Sequence, residues 1–88
     1  MLQLPTTLMH QTASHCLAEL LQAVRAEVSA NVTVNAAGLE RFDSTALAVL
    51  LELRRMAVSL GKTLTLQATP PRLADLARLY GIAELLQV

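Results

Sequence analysis

Apolar residues change period several times along this chain, and each change predicts a new element. From Ala13 to about Val28 they fall at Ala13, Leu17, Leu20, Leu21, Val24 and Val28. Those positions trace one stripe of a 3.6-residue period, so they predict an amphipathic helix. Glu19, Arg25 and Glu27 fall away from the stripe, and Ser29, Ala30 and Asn31 end it. Ahead of the helix, Leu2-Gln3-Leu4 reads as a short strand stopped by Pro5, and Pro5, Thr6 and Thr7 as a turn. VTVNA at residues 32–36 alternates and is β-branched, which predicts a second strand. The stretch AGLERFD connects it to a second helix, from Ser44 to about Leu60. Gly61 ends that helix as a residue able to adopt positive φ without steric cost. KTLTLQ at residues 62–67 alternates again and predicts a third strand. Thr69, followed by Pro70 and Pro71, reads as a hydroxyl cap with proline in the first turn of a third helix. That helix carries Leu73, Leu76, Ala77 and Tyr80 and stops at Gly81, and Ile82, Leu85 and Leu86 form an apolar tail that closes the core.

The order is therefore β-α-β-α-β-α. Strands separated by single helices favour a parallel arrangement, so the expected class is α/β, with a short mixed or parallel sheet packed by helices. The length suits one domain spanning residues 1–88. A sheet of three strands leaves both edges near its centre, a liability unless something covers them.

The second helix carries more apolar surface than one sheet needs. On a helical wheel, Ala46, Val49, Leu50, Leu53, Ala57 and Leu60 span an arc of roughly 100°. Leu47, Leu51 and Val58 widen it by roughly another 100°, with Arg54 inside the extension. Either neighbouring helices cover this second arc, or Leu47, Leu51, Arg54 and Val58 form a docking face beside Ser44 and Thr45. Composition bears on the choice. Hydrophobic residues make up 53% and charged residues 16% of the 88. Such an apolar excess is hard to hide on so small a body, and a partner surface is one natural outlet for it.

Seven basic and seven acidic side chains cancel. With no basic block, and only Phe42 and Tyr80 as aromatics, the chain lacks both the footprint and the stacking platform of a nucleic-acid binder. No apolar run approaches the roughly 18 residues of a membrane span, and MLQLPTTLMHQ lacks the basic and long apolar regions of a signal peptide. Direct membrane insertion is therefore not expected. The lone Cys16 excludes an internal disulfide and fits a reducing compartment. His10, His15 and Cys16 are wrongly spaced for metal ligation from one helical face. No G-x-S-x-G turn is present, and Gly38, Gly61 and Gly81 are too isolated to cradle a phosphate. Arg54-Arg55 reads as a solvated helix face. The chain is expected to be neither an enzyme nor a cofactor binder.

Asp43-Ser44-Thr45 is the most informative stretch. Asp, Ser and Thr at a helix start act as caps, because a side-chain oxygen accepts a bond from a first-turn N–H. The same helix end stabilises an anion, so a phosphate on Ser44 or Thr45 would sit favourably against the dipole. Asp43 would oppose it by like-charge repulsion.

The stretch from Val32 to Gln67, with its Asp43-Ser44-Thr45 motif, resembles the centre of a STAS domain, the fold of anti-anti-sigma factors. The closing LADLARLYGIAELL and the opening LQLPTTLMHQTASHCLAELLQAV are similar to the MlaB-like branch of that family, and together the likeness covers nearly the whole chain. The resemblance implies a non-catalytic cytoplasmic subunit of an ABC transporter that moves phospholipid between inner and outer membranes and maintains outer-membrane lipid asymmetry. Its implied partner is an MlaF-like ATPase subunit, which would hold it peripherally at the inner membrane, with the Ser44 position at the contact. The anti-anti-sigma branch implies an alternative, in which phosphorylation of Ser44 controls binding to an anti-sigma kinase. Typical STAS domains begin with one strand more than this chain has residues for. The sheet is therefore expected to have an open edge, covered by a partner or by a second copy in a homodimer.

Overall fold

The structure, a computed structural model, describes residues 2–88. In chain order its elements are β1 (Leu2–Gln3), β2 (Thr7–Leu8), α1 (Ala13–Ala26), β3 (Asn31–Asn35), β4 (Arg41–Phe42), α2 (Thr45–Ser59), β5 (Thr63–Gln67), α3 (Pro71–Leu79) and α4 (Ala83–Leu86). Three strands pair in the order β1-β3-β5, all parallel, with Leu2 opposite Val34 and Val32 opposite Leu64. The α/β class with a short parallel sheet packed by helices is thus the one the chain adopts.

The alternation in the strands sorts their side chains by face. Val32, Val34 and Leu64 are buried, and helices α1 and α2 pack side by side, with α1 also against β1 and α2 against β5. Val24 of α1, Leu50 and Leu53 of α2, Leu73 of α3 and Leu86 of α4 complete the core. The intervening positions carry a solvent-facing polar network. Asn31 Oδ1 accepts bonds from the hydroxyls of Thr63 at 2.8 Å and Thr65 at 3.0 Å, tying β3 to β5 across the surface.

The short turns that follow α2 and α3 use glycine as expected. Gly61 and Gly81 each have φ +73°. The amide of Gly61 donates to the Val58 carbonyl at 3.0 Å and that of Lys62 to the Ala57 carbonyl at 2.8 Å. The same pair of bonds recurs from Gly81 to Arg78 and from Ile82 to Ala77. These crossed bonds satisfy the last carbonyls of each helix and turn the chain back towards the core.

Several boundaries differ from the sequence expectation. Helix α1 ends at Ala26, and Val28 lies outside it, 97% exposed. Glu27 is already extended, its carboxylate accepts the Ser29 amide, and its carbonyl accepts a bond from the Lys62 ammonium. The backbone that would have continued the helix is therefore committed elsewhere. Thr7 belongs to a strand, not a turn, because β2 pairs in parallel with β4 inside the stretch read as plain connection. Thr69 does not cap α3, whose N-cap position is Pro70 with no side-chain bond. Tyr80, Leu60 and Leu85 point largely to solvent, and Leu86 alone of the predicted tail is fully buried.

Candidate functional site

The start of α2 is assembled from three separate parts of the chain. Thr7 pairs with Arg41 and Leu8 with Phe42, while the amides of Glu40 and Arg41 both donate to the Thr6 carbonyl at 2.8 and 2.9 Å. This clasp fixes the loop that delivers Asp43. Its Oδ1 accepts the Thr45 amide at 2.9 Å, and its Oδ2 accepts the His10 amide at 3.4 Å. The Arg72 guanidinium at the start of α3 stacks over the Phe42 ring, 4.9 Å from its centroid. A polar junction is thereby locked between β2, β4, α2 and α3.

Ser44 occupies the N-cap position, yet its side chain makes no capping bond. Its backbone is already helical, at φ −62° and ψ −17°. A capping oxygen normally reaches the first-turn amides from an extended backbone, so the task passes one residue back to Asp43. Ser44 is left exposed at the helix entrance. The division of labour within the motif is therefore Asp43 for the cap and Ser44 for whatever meets it from outside.

Bonds from the Thr45 hydroxyl and amide hold the Asp43 carboxyl below its ordinary value, with the His10 amide adding to the effect. A carboxylate depressed in the folded state contributes stability above its unfolded value, and that contribution is lost as pH falls through the folded one. Asp43→Asn retains an acceptor for Thr45 but cannot titrate. We expect its melting temperature to fall less steeply than that of the wild type as pH is lowered below about 4. Glu27 is shifted in the same direction, chiefly by the Ser29 amide, so the wild-type minus variant difference is the quantity to measure. Parallel pH profiles for the two proteins would show that Asp43 contributes nothing to acid sensitivity.

Beside this junction lies a shallow apolar depression of about 320 Å³. Ser44, Leu47, Ala48 and Leu51 of the α2 side form one wall, and Tyr80 and Ile82 the other. Leu47 is only 3% exposed, which corrects its assignment to an outer docking face: it is core that forms the depression's floor. Leu51 is half-buried at the wall. Arg54 and Val58 line a second depression, also about 320 Å³, together with Lys62, Leu64, Glu84 and Leu85. Val58 is 54% exposed there. Thr45 faces Asp43, not either depression. A third, of about 440 Å³, lies between β1 and α1 and shares no lining residue with these two.

The predicted residues thus fall on one flank of α2, split between two depressions, with Thr45 inside the capping junction. Tyr80 and Ile82 were not singled out for this site. The signal was there in part: two apolar residues bracket Gly81, whose reversal brings both back to the same wall. Among the described residues, no group of three or more His, Cys, Asp and Glu side chains gathers as metal ligands. His15 instead faces Glu19 on α1, with 3.0 Å between Nε2 and Oε1. None of the described helices is long and apolar enough to cross a membrane.

A family model described as "Mlab, STAS domain" matches residues 1–87 of the chain. No curated protein matches it.

Proposed function

We propose, from the premise that the chain belongs to the MlaB-type STAS domain family, that it is the non-catalytic subunit of a phospholipid-moving ABC transporter. In this reading it acts on the cytoplasmic side of the inner membrane, bound to the transporter's ATPase subunit, and supports that subunit's assembly and activity. The observation that carries the reading is the apolar depression beginning at Ser44. A surface lined by Leu47, Ala48, Leu51, Tyr80 and Ile82 has no charged group and no reactive pair. Its chemistry is burial against another protein.

Mutual stabilisation tests the reading. A ligand that binds only the native state raises its stability by about 2.7 kcal/mol at a hundredfold excess over the dissociation constant. The purified chain should therefore melt several degrees higher with a saturating MlaF-like ATPase subunit than alone. An unchanged melting temperature at saturation would remove the ATPase as the partner.

The anti-anti-sigma reading has one observation in its favour. The Ser44 hydroxyl is exposed and spends no hydrogen bond on the cap, so a kinase could reach it. Against it stands Asp43, ionised and adjacent, which would repel a phosphate. Incubation with a cognate anti-sigma kinase followed by mass spectrometry separates the two: phosphate on Ser44 supports this reading, and unmodified Ser44 removes it.

A further inference from the structure

The parallel sheet has two edges, and they are not alike. Among the described residues, β1 and β5 each pair only with β3. The β1 edge is two residues long and runs on to Pro5, which has no amide to donate. The β5 edge is five residues long, Thr63–Gln67, with neither proline nor charge. Backbone groups along a strand alternate from one side to the other. The Thr63 amide donates to the Ala30 carbonyl, and the Gln67 carbonyl accepts the Ala36 amide, so the odd-numbered residues face β3. The amides and carbonyls of Leu64 and Leu66 therefore point outward from the free edge. Natural edges are commonly guarded by charge, proline or a bulge, and β5 carries none of these.

Outward-pointing backbone groups call for another extended strand. The same five residues of a second copy supply it, antiparallel about a two-fold axis through Thr65. Leu64 then opposes Leu66 of the second copy, and each such pair exchanges both of its N–H···O bonds. Thr65 opposes itself and Thr63 opposes Gln67 on the polar face, while the leucines meet on the helix-covered face. The neighbouring registers fail. Centred on Leu64, the pairing needs the Lys62 amide, which already donates to the Ala57 carbonyl at 2.8 Å. Centred on Leu66, it needs Ala68, whose φ of +54° has left the strand. No charged side chain lies within the paired stretch, so two copies approach without repulsion. On the helix side, the depression lined by Thr63 and Leu64 leaves Val58 and Leu85 exposed, and it offers a second copy both signs of charge in Arg54, Lys62 and Glu84. Even the smallest side of the molecule, 26 × 19 Å, lets two copies bury about 1,000 Å² in total, the least that a specific interface needs.

The geometry points to a homodimer joined through β5, a continuous sheet with the two β5 strands antiparallel at its centre. Each copy then keeps only its short β1 edge open. An interface of this size makes the dimer reversible. It is independent of the ATPase reading, since the depression at this edge shares no lining residue with the one beside Ser44.

Sedimentation of the intact chain should show a monomer–dimer equilibrium with a dissociation constant on the order of 10 μM. A wild-type chain still monomeric at about 1 mM overturns the dimer. Thr65→Lys and Thr65→Glu each set like charges opposite one another and should weaken self-association at least about fivefold. An equimolar mixture of the two should associate again, because only a two-fold axis at Thr65 brings that position against itself. Thr33→Lys, on the same face of the central strand, should associate like the wild type. Folded Thr65 variants that associate like the wild type, or that fail to recover when mixed, overturn the β5 pairing. Both variants also lose the Thr65 bond to Asn31, so the unmodified protein supplies a second test. Exchange of the Leu64 and Leu66 amides with solvent deuterium should slow as concentration rises through the dissociation constant. Exchange at those two amides that does not depend on concentration overturns the pairing whatever the variants do.

Discussion

Leu51→Glu is expected to leave the protein folded and to abolish the proposed complex with an ATPase subunit, lowering affinity by about a hundredfold or more. Leu51 is half-buried at the wall of the depression beside Ser44 and is not among the fully buried side chains of the core. In the free protein a carboxylate there keeps its water. In the complex that water must leave without a cation to replace it, and an unpaired desolvated charge costs several kcal/mol, each 1.4 kcal/mol being about tenfold in affinity. Ser44 gives the finer test. Ser44→Ala removes a hydroxyl that makes no cap, so it should bind and melt like the wild type. Ser44→Glu adds bulk and a second negative charge beside Asp43, and it should weaken binding while the fold persists. Equal binding by the two Ser44 variants would place the contact farther along α2. A folded Leu51→Glu protein with unchanged affinity would end the docking assignment altogether.

Leu50→Ala should instead destroy the fold in a large fraction of molecules, although Leu50 immediately precedes Leu51 in the chain. Its side chain is fully buried. Truncating a buried leucine costs about 2–5 kcal/mol through lost transfer energy and the cavity left behind. A chain of this length has only about 4–13 kcal/mol in total. Leu60→Ala is the matched control, since Leu60 is nearly half exposed at the end of the same helix. Urea unfolding should give a much lower midpoint for Leu50→Ala and a nearly unchanged one for Leu60→Ala. Similar midpoints would mean that the interior repacks around position 50 and that burial alone does not set its contribution.

The contrast between adjacent residues also marks what could be read from the sequence. Periodicity located α2, β3 and β5 within a residue or so, because a core-facing stripe and a strand alternation are both dictated by burial. It also found Gly61 and Gly81, where backbone sterics leave little choice. It missed β2 and β4, which are two residues each and too short to show a period. Their pairing is decided by contacts more than thirty residues apart. The stripe also overran at Val28, where Ser29 and Lys62 capture polar groups of Glu27 that a helix would have used. Within the candidate site, the wheel identified the flank of α2 but could not say how wide its cover was. Leu47 is covered and Val58 is not, and only the path of residues 80–87 decides that. Likewise the Asp-Ser-Thr motif announced a cap, while its division between Asp43 and Ser44 follows from the helical dihedrals of Ser44.

The composition of the depression beside Ser44 supplies a reporter without any label. The chain has no tryptophan and a single tyrosine, Tyr80, which lines the wall facing Ser44 and Leu51 and is 58% exposed. Tyrosine emission from this protein therefore comes from the candidate site alone. A tryptophan-free partner segment settling there would change the ring's solvation and quenching, and the titration could be followed by emission in the unmodified protein. A ligand confined to the depression between β1 and α1 would leave the same signal undisturbed, so one spectrum distinguishes the two surfaces.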